Sequence, residues 1–258
     1  MILGPEQILA IGGVLSAGVV THGTFIPQSR LFGPVIARGR ADGPARVALT
    51  FDDGPTAGAT DRVLDTLGEL GVKGAFFVVG RNVEREPRLT ERMAAEGHLV
   101  GNHSYDHFRM GMFGLGRFWD EQIVRTDAAI EGATGLRPVL FRPPMGQKTP
   151  FIMAAAARGG HAVVTWNRGA LDGMTTTPQR ILERVVPRSR AGDIILLHDG
   201  VEPHSRRNPA ASVAAVKPLI AALRDRGLEP VRLDALTGLR PYRDAPERSG
   251  TASLPPRT

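Results

Sequence analysis

Two histidines and two adjacent aspartates have the types and spacing that metal-assisted hydrolysis requires. His103 and His107 are four positions apart, which places both imidazoles on one face if the segment is helical. Neutral imidazoles bind zinc and other first-row metals, and Asp53 is the candidate carboxylate that would complete a set of three protein ligands. Asp52 could then deprotonate a metal-activated water as general base. Taken alone, a structural histidine pair and a solvated Asp-Asp turn are the alternatives.

A histidine and an arginine at the ends of two other apolar runs extend this candidate chemistry. His198 follows a four-residue apolar run and could act as a general acid for a leaving amine. Arg142 follows Phe141, and a buried arginine needs a carboxylate partner, for which Asp52 is a natural candidate. A histidine bound to backbone and an exposed arginine in a proline-rich loop are the alternatives at these positions.

Each of these polar residues follows a short apolar run, and the runs alternate with patterns of helical spacing. Runs typical of buried strands lie at 47–51, 75–79, 99–100, 139–141, 162–165, 194–197 and 230–231. This alternation predicts an α/β fold with parallel strands covered by helices, as a barrel or a doubly wound sheet. In a parallel barrel the carboxyl ends of the strands share one face, so the candidate residues would meet in one cleft.

Four motifs together resemble the polysaccharide deacetylases, the NodB-homology group also called carbohydrate esterase family four. In order, the motifs are TFDDGP at 50–55, HSYDH at 103–107, RPPMG at 142–146 and LLHD at 196–199. The resemblance covers about residues 46–236. It implies a distorted (β/α) barrel with about seven strand–helix units, fewer than the full eight.

The resemblance also implies a reaction and a role for the motif residues. It assigns a divalent metal, usually zinc, with cobalt, manganese or nickel as alternatives, to Asp53, His103 and His107. It makes Asp52 the base, His198 the acid and Arg142 the residue that orients Asp52. The implied reaction is removal of an N-acetyl group from an amino sugar in a peptidoglycan- or chitin-like glycan, which gives acetate and a free amine.

Several positions depart from the family pattern. Met145 stands where the family commonly has tyrosine, whose backbone N–H donates to the oxyanion there. Trp166 fits the first tryptophan of a further motif, Gly173 replaces the second, and an expected aspartate is missing at Gly169. Asp172 falls where the family has the aspartate that pairs with the acid histidine. By the same resemblance, the substrate-binding residues are Pro143, Met145, Trp166 and Leu196.

Two other functions stay open on the same fold. The missing tryptophan at Gly173 leaves room for a related hydrolase of non-peptide C–N bonds in a small amide. A non-catalytic glycan-binding protein is the other alternative, and the intact set of metal-ligating residues argues against it.

Composition narrows the chemistry and the partners. The chain of 258 residues has no cysteine, which excludes disulfides, a thiol nucleophile and cysteine-ligated zinc. The net charge of +6 suits anionic surfaces such as nucleic acid, phospholipid or acidic cell-wall polymers, although an ordinary solvated basic surface explains it as well. Aromatic residues make up only 5% and no nucleic-acid recognition motif is present, so we predict no nucleic acid as partner. The partner that the resemblance implies is an N-acetylated glycan.

We divide the chain into three segments. Residues 1–40 form an apolar N-terminal arm or a possible membrane anchor, residues 41–240 a catalytic domain, and residues 241–258 a flexible tail. The stretch 1–25 is marginal as a membrane span and lacks the positive start of a signal peptide, so membrane association and a packed arm both stay open. The implied function favours the bacterial cell envelope or export, with the cytoplasm as the alternative.

Overall fold

A parallel sheet of eight strands forms the centre of the computed structural model, which describes residues 17–205 and 207–243. The strands are β1 (Arg46–Asp52), β2 (Ala75–Val78), β3 (Leu99–Asn102), β4 (Leu140–Phe141), β5 (Ala162–Val163), β6 (Arg168–Gly169), β7 (Ile194–His198) and β8 (Glu229–Pro230). Their order across the sheet is β5-β4-β3-β2-β1-β7-β6, and β8 pairs with the start of β1. The predicted α/β class with parallel strands is confirmed.

Strand β1 lies between β2 and β7 inside the sheet, and nearly all of it is buried. Six of its seven residues are buried, as expected for a strand of a parallel sheet that is covered on both faces. Phe51 stacks on Phe76 of the neighbouring β2, with ring centroids 5.0 Å apart. The polar Thr50 is accommodated because its hydroxyl donates to the carbonyl of Ile195 on β7, at 2.8 Å.

Helices connect the strands and cover the sheet in the predicted alternation. They are α1 (residues 17–25), α2 (Thr60–Glu69), α3 (Gly80–Arg85), α4 (Pro87–Ala95), α5 (Gly116–Thr134), α6 (Pro150–Arg158), α7 (Pro178–Val185), α8 (Ala210–Asp225) and α9 (Leu233–Thr237). The main core lies between β1, β2 and β7 and the apolar faces of α2, α7 and α8. A second core packs α5 and α6 around Phe141 of β4.

A short extended segment bridges the end of β5 to the start of β7. Ile36 bridges in parallel to Val164, just after β5, and Arg38 bridges in antiparallel to Asp193, just before β7. The curled sheet is the distorted (β/α) barrel that the resemblance implied, and the carboxyl ends of its parallel central strands lie at one end.

The described part of the N-terminal segment contacts this barrel. Val35 is buried in the second core, and residues 24–28 lie against the loops that follow β4 and β5. In residues 17–205 and 207–243, no helix combines the length and hydropathy of a membrane span. The segment boundaries at residues 40 and 240 stay predictions. The parts of the possible membrane anchor and of the flexible tail at residues 1–16 and 244–258 lie outside the described residues.

Candidate active site

The carboxyl ends of four strands of the sheet, β4, β3, β1 and β7, bring the candidate residues together. Asp52 is the last residue of β1 and pairs in register with His198, the last residue of β7. His103 follows β3 directly, and Arg142 follows β4. The predicted convergence of separate chain segments on one end of the barrel is confirmed.

The three candidate metal ligands form one buried cluster. Asp53 Oδ1 lies 3.3 Å from His107 Nε2 and 3.6 Å from His103 Nε2. One ligand atom from each residue lies within 4.8 Å of those from the other two. The segment from His103 to His107 is a loop and not the helix that the spacing allowed, because Ser104 (φ 68°) and His107 (φ 50°) take left-handed backbone conformations. This turn, and not helical periodicity, brings both rings to Asp53.

The outer nitrogens of both imidazoles are held by acceptors, which leaves the inner nitrogens for a ligand. His103 Nδ1 contacts the carbonyl oxygen of Arg142 at 2.7 Å, and His107 Nδ1 contacts the carboxylate of Glu202. These partners favour the tautomer whose Nε2 lone pair points into the cluster. Asp53 Oδ1 is buried and accepts no hydrogen bond from a described residue, and burial lowers the pKa of His103 to about 3. The pKa of His107 is raised instead, because its burial is outweighed by the nearby carboxylates of Asp53 and Glu202. Two imidazoles beside a carboxylate oxygen that accepts no hydrogen bond form a ligand set that fits a divalent cation.

Asp52 is held by an arginine that is completely buried. Arg142 Nη1 donates to Asp52 Oδ1 at 2.7 Å and to the hydroxyl of Thr50 at 2.9 Å. Its other nitrogens donate to the carbonyls of Val164 and Thr165. Burial raises the pKa of Asp52, and the positive charge of Arg142 opposes that rise. Asp52 is therefore fixed in orientation, and its Oδ2 lies 3.6 Å from His103 Nε2, beside the cluster.

His198 is oriented by Asp172 in the manner that the resemblance implied. Its Nδ1 lies 2.9 Å from Asp172 Oδ1, while Asp172 Oδ2 accepts from the backbone N–H of His198 at 2.8 Å and from Ser212 Oγ at 2.6 Å. Burial lowers the pKa of His198, but the charge and hydrogen bond of Asp172 outweigh it and raise the pKa to about 9. The imidazole is thus protonated at neutral pH, with Nε2 3.9 Å from Asp53 Oδ2.

Comparisons with known proteins show the family of this chain. The family described as polysaccharide deacetylase matches residues 39–164. A chitooligosaccharide deacetylase of Bradyrhizobium is 36% identical over 197 residues, which are 74% of this chain and 90% of the relative. The chain belongs to the polysaccharide deacetylase family. A peptidoglycan-N-acetylglucosamine deacetylase of Bacillus cereus is 32% identical over 192 residues, 74% of this chain and 68% of that protein.

Solved structures of polysaccharide deacetylases share the fold. The Bc1960 peptidoglycan N-acetylglucosamine deacetylase superposes with a TM-score of 0.74 at 30% identity, over 81% of this chain and 95% of that chain. A family 4 carbohydrate esterase from Streptomyces lividans, in complex with acetate, gives 0.65 at 33% identity, over 74% and 93%. The resemblance that the four motifs predicted is confirmed.

A cavity of about 360 Å³ opens above the cluster of this polysaccharide deacetylase. Its apolar walls include Trp166, Leu196 and the exposed side chain of Met145. A Cβ at Gly173 would meet Arg207 at 3.4 Å and His198 at 3.5 Å, which are ordinary van der Waals contacts, so no side chain contributes to this part of the wall. Pro143 is buried and does not line the cavity, so its assignment to substrate contact stays a prediction.

Three charged residues of the site were missed by sequence reasoning. Glu202 contacts His107 Nδ1 and also accepts from Arg109. Arg207 Nη2 donates to Asp53 Oδ2 at 2.8 Å and to the carbonyl of Gly200 at 2.9 Å. Glu202 and Arg207 lie in the irregular loop between β7 and α8, where no periodic pattern points to a cleft. The sequence offered one signal for Glu202, which is its position four residues after His198.

Proposed function

We propose that this protein is a metal-dependent deacetylase that removes N-acetyl groups from the amino sugars of a peptidoglycan- or chitin-like glycan and releases acetate. The observation that carries the proposal is the convergence of a ligand cluster, a fixed carboxylate and a protonated imidazole on one cavity. The ligand cluster consists of Asp53, His103 and His107, the carboxylate is the proposed base Asp52, and the imidazole is the proposed acid His198. The names of the relatives, peptidoglycan and chitooligosaccharide deacetylases, support the same substrate class.

The proposed mechanism divides the proton transfers between two residues. A divalent ion held by the cluster, which we propose to be zinc, supplies a Lewis acid and a water of lowered pKa. Asp52, held by Arg142, takes a proton from the water that attacks the acetyl carbonyl carbon. The backbone N–H of Met145 donates to the oxygen that becomes negative. His198 Nε2 then protonates the nitrogen as the C–N bond breaks, which gives acetate and a free amine.

The walls of the cavity suggest where the substrate lies. We assign the contacts with the acetyl group and the sugar to Met145, Trp166 and Leu196, which line the cavity beside His198. These side chains are apolar, which suits a methyl group and a sugar face.

A second candidate function is hydrolysis of a small amide that is not a sugar. The absence of a side chain at Gly173 favours this function. Without a ring at this position, that part of the wall has no surface on which a sugar of a glycan chain could stack. The chemistry would be the same, since only the group attached to the amide nitrogen differs.

Acetate release measured on the zinc-loaded protein tests the proposal. The substrates are chitooligosaccharides, peptidoglycan fragments and a panel of small N-acetylated amines, and the control is Asp52→Asn, which keeps the size of the base and removes its charge. We expect release from the glycans by the wild type and a rate lower by orders of magnitude for the control. Release from small amides alone would support the second candidate, and an inert wild type that binds glycans would support a binding protein.

A further inference from the structure

Residues 24–28, here called the N-terminal brace, contact both loops that wall the cavity. Lys148 Nζ donates to the brace carbonyls of Ile26 at 2.8 Å and Pro27 at 3.3 Å. Thr165 Oγ1 donates to the carbonyl of Pro27 at 2.8 Å, and Gln28 Nε2 donates to the carbonyl of Trp166 at 2.8 Å. The brace precedes residue 39, where the family match begins, so it is a feature of this chain beyond the matched region.

Lys148 is a buried cation whose acceptors are all backbone carbonyls. Only 1% of its surface is exposed, and no carboxylate of the described residues pairs with it. Besides its two brace acceptors, its ammonium donates to the carbonyl of Gly146 at 3.2 Å, and its backbone N–H donates to Thr24 at 3.0 Å. Burial lowers the pKa of Lys148 to about 8. Because a buried ammonium is expensive without hydrogen bonds, the two brace carbonyls are needed to keep this side chain in place.

The loop that Lys148 closes carries the proposed oxyanion donor. Met145 (φ 56°) and Gly146 (φ 66°) take successive left-handed conformations, which are strained for the methionine. A Cβ at Gly146 would lie 2.7 Å from the ring of Trp166, so loop and ring are in close contact. The strained backbone conformation at Met145 therefore needs contacts that stabilise it. One set of such contacts runs from the carbonyl of Gly146 through Lys148 to the N-terminal brace.

We propose that the N-terminal brace and Lys148 hold the Met145 loop and Trp166 in the geometry that the N-acetyl group requires. Lys148 acts as a positioning residue: it touches no substrate, and it fixes the direction of the Met145 N–H through Gly146. This inference rests on the proposed function for its kinetic consequence, whereas the contact of the brace with the loops can be tested without it.

The main test is Lys148→Met in the full-length, zinc-loaded protein, with Lys217→Met as a charge-matched control on the surface. We expect kcat on chitooligosaccharides to fall on the order of 10- to 100-fold with KM changed by less than about threefold, because misplacing a transition-state donor affects the chemical step. The affinity for zinc should not change, since Lys148 contacts none of the three proposed ligands. Trypsin should cleave after Arg30, an exposed residue next to the brace, faster than in the wild type and the control.

A second variant keeps the proposal testable if Lys148→Met fails to fold. Gln28→Ala removes only the exposed amide that binds the Trp166 carbonyl, and Gln179→Ala, on the surface of α7, is its control. We expect faster cleavage after Arg30 and a several-fold lower kcat for Gln28→Ala alone. Unchanged cleavage and kcat in folded brace variants of an active enzyme would overturn the inference. If the wild type releases no acetate, the proposed function fails, and the cleavage rates decide separately whether the brace holds.

Discussion

Replacing Asp172 with asparagine tests how the proposed acid is kept protonated. Asp172 makes a charged hydrogen bond to His198 Nδ1 at 2.9 Å, and its charge is the largest contribution that raises the pKa of His198. Asparagine keeps the size of the side chain and removes the charge. Burial and the nearby Arg207 then act to lower the pKa, opposed by Asp53.

The size of the effect follows from the pKa of His198. The difference between 6.5 and about 9 corresponds to about 3 kcal/mol in favour of the imidazolium. At pH 8 a group of pKa about 9 is about 90% protonated, whereas one of pKa 6.5 is about 3% protonated. An acid must carry its proton, so activity is lost as the pH rises through this pKa. We therefore expect Asp172→Asn to be about 30-fold slower at pH 8 and to recover part of that loss near pH 6.

Two assays check this expectation. The pH dependence of kcat/KM should show an alkaline limb that moves to lower pH in Asp172→Asn, and ¹⁵N-resolved NMR of the metal-free protein should show the same shift in the titration of His198. Ser212→Ala, which removes one neutral hydrogen bond from Asp172 Oδ2, should move the limb much less. A His198 that titrates near 9 in Asp172→Asn, or near 6.5 in the wild type, would refute the reasoning.

Three further changes have expected outcomes that rest on separate contacts. Glu202→Gln weakens the carboxylate contact with His107 Nδ1, and we expect zinc affinity about 10- to 100-fold lower in competition with a chelating dye. Arg142→Leu leaves the buried Asp52 unpaired, so we expect a loss of about 3 to 5 kcal/mol in the free energy of unfolding measured with urea. Because burial raises the pKa of Asp52 in the folded state, that loss should be larger at pH 7 than at pH 5. Gly132→Ala, on an open face of α5, should raise stability by about 0.5 to 1 kcal/mol in thermal unfolding.

Each of these has an outcome that contradicts it. Glu183→Gln, on the exposed surface of α7, is the control for Glu202→Gln, and equal zinc affinities for the two variants would reject the orienting contact. An Arg142→Leu protein as stable as the wild type at pH 7 would show that Asp52 is not left as an unpaired buried charge. A lower melting temperature for Gly132→Ala would mean that the added methyl group meets a neighbour.

Local patterns in the sequence were sufficient for seven of the eight strands, all except the two-residue β6, and for most of the candidate site. The run that forms β1 is almost continuously apolar, which is typical of a strand buried on both faces. The polar residues directly after such runs lie where parallel strands end. The spacing of His103 and His107 left open whether the segment is helical, and the structure shows that two left-handed residues turn the chain instead. Backbone conformation of this kind carries no hydropathy signal.

The sequence by itself determined the parallel architecture, the motif residues and the kinds of side chain that meet at the carboxyl ends of the strands. The tertiary structure alone decided which groups support them: Glu202 behind His107, Arg207 on Asp53, and the N-terminal brace on Lys148. Buried strands can be located from the sequence because their apolar residues are close together along the chain. The supporting contacts join residues up to 154 positions apart through irregular loops, and only the packed fold brings such residues within hydrogen-bonding distance.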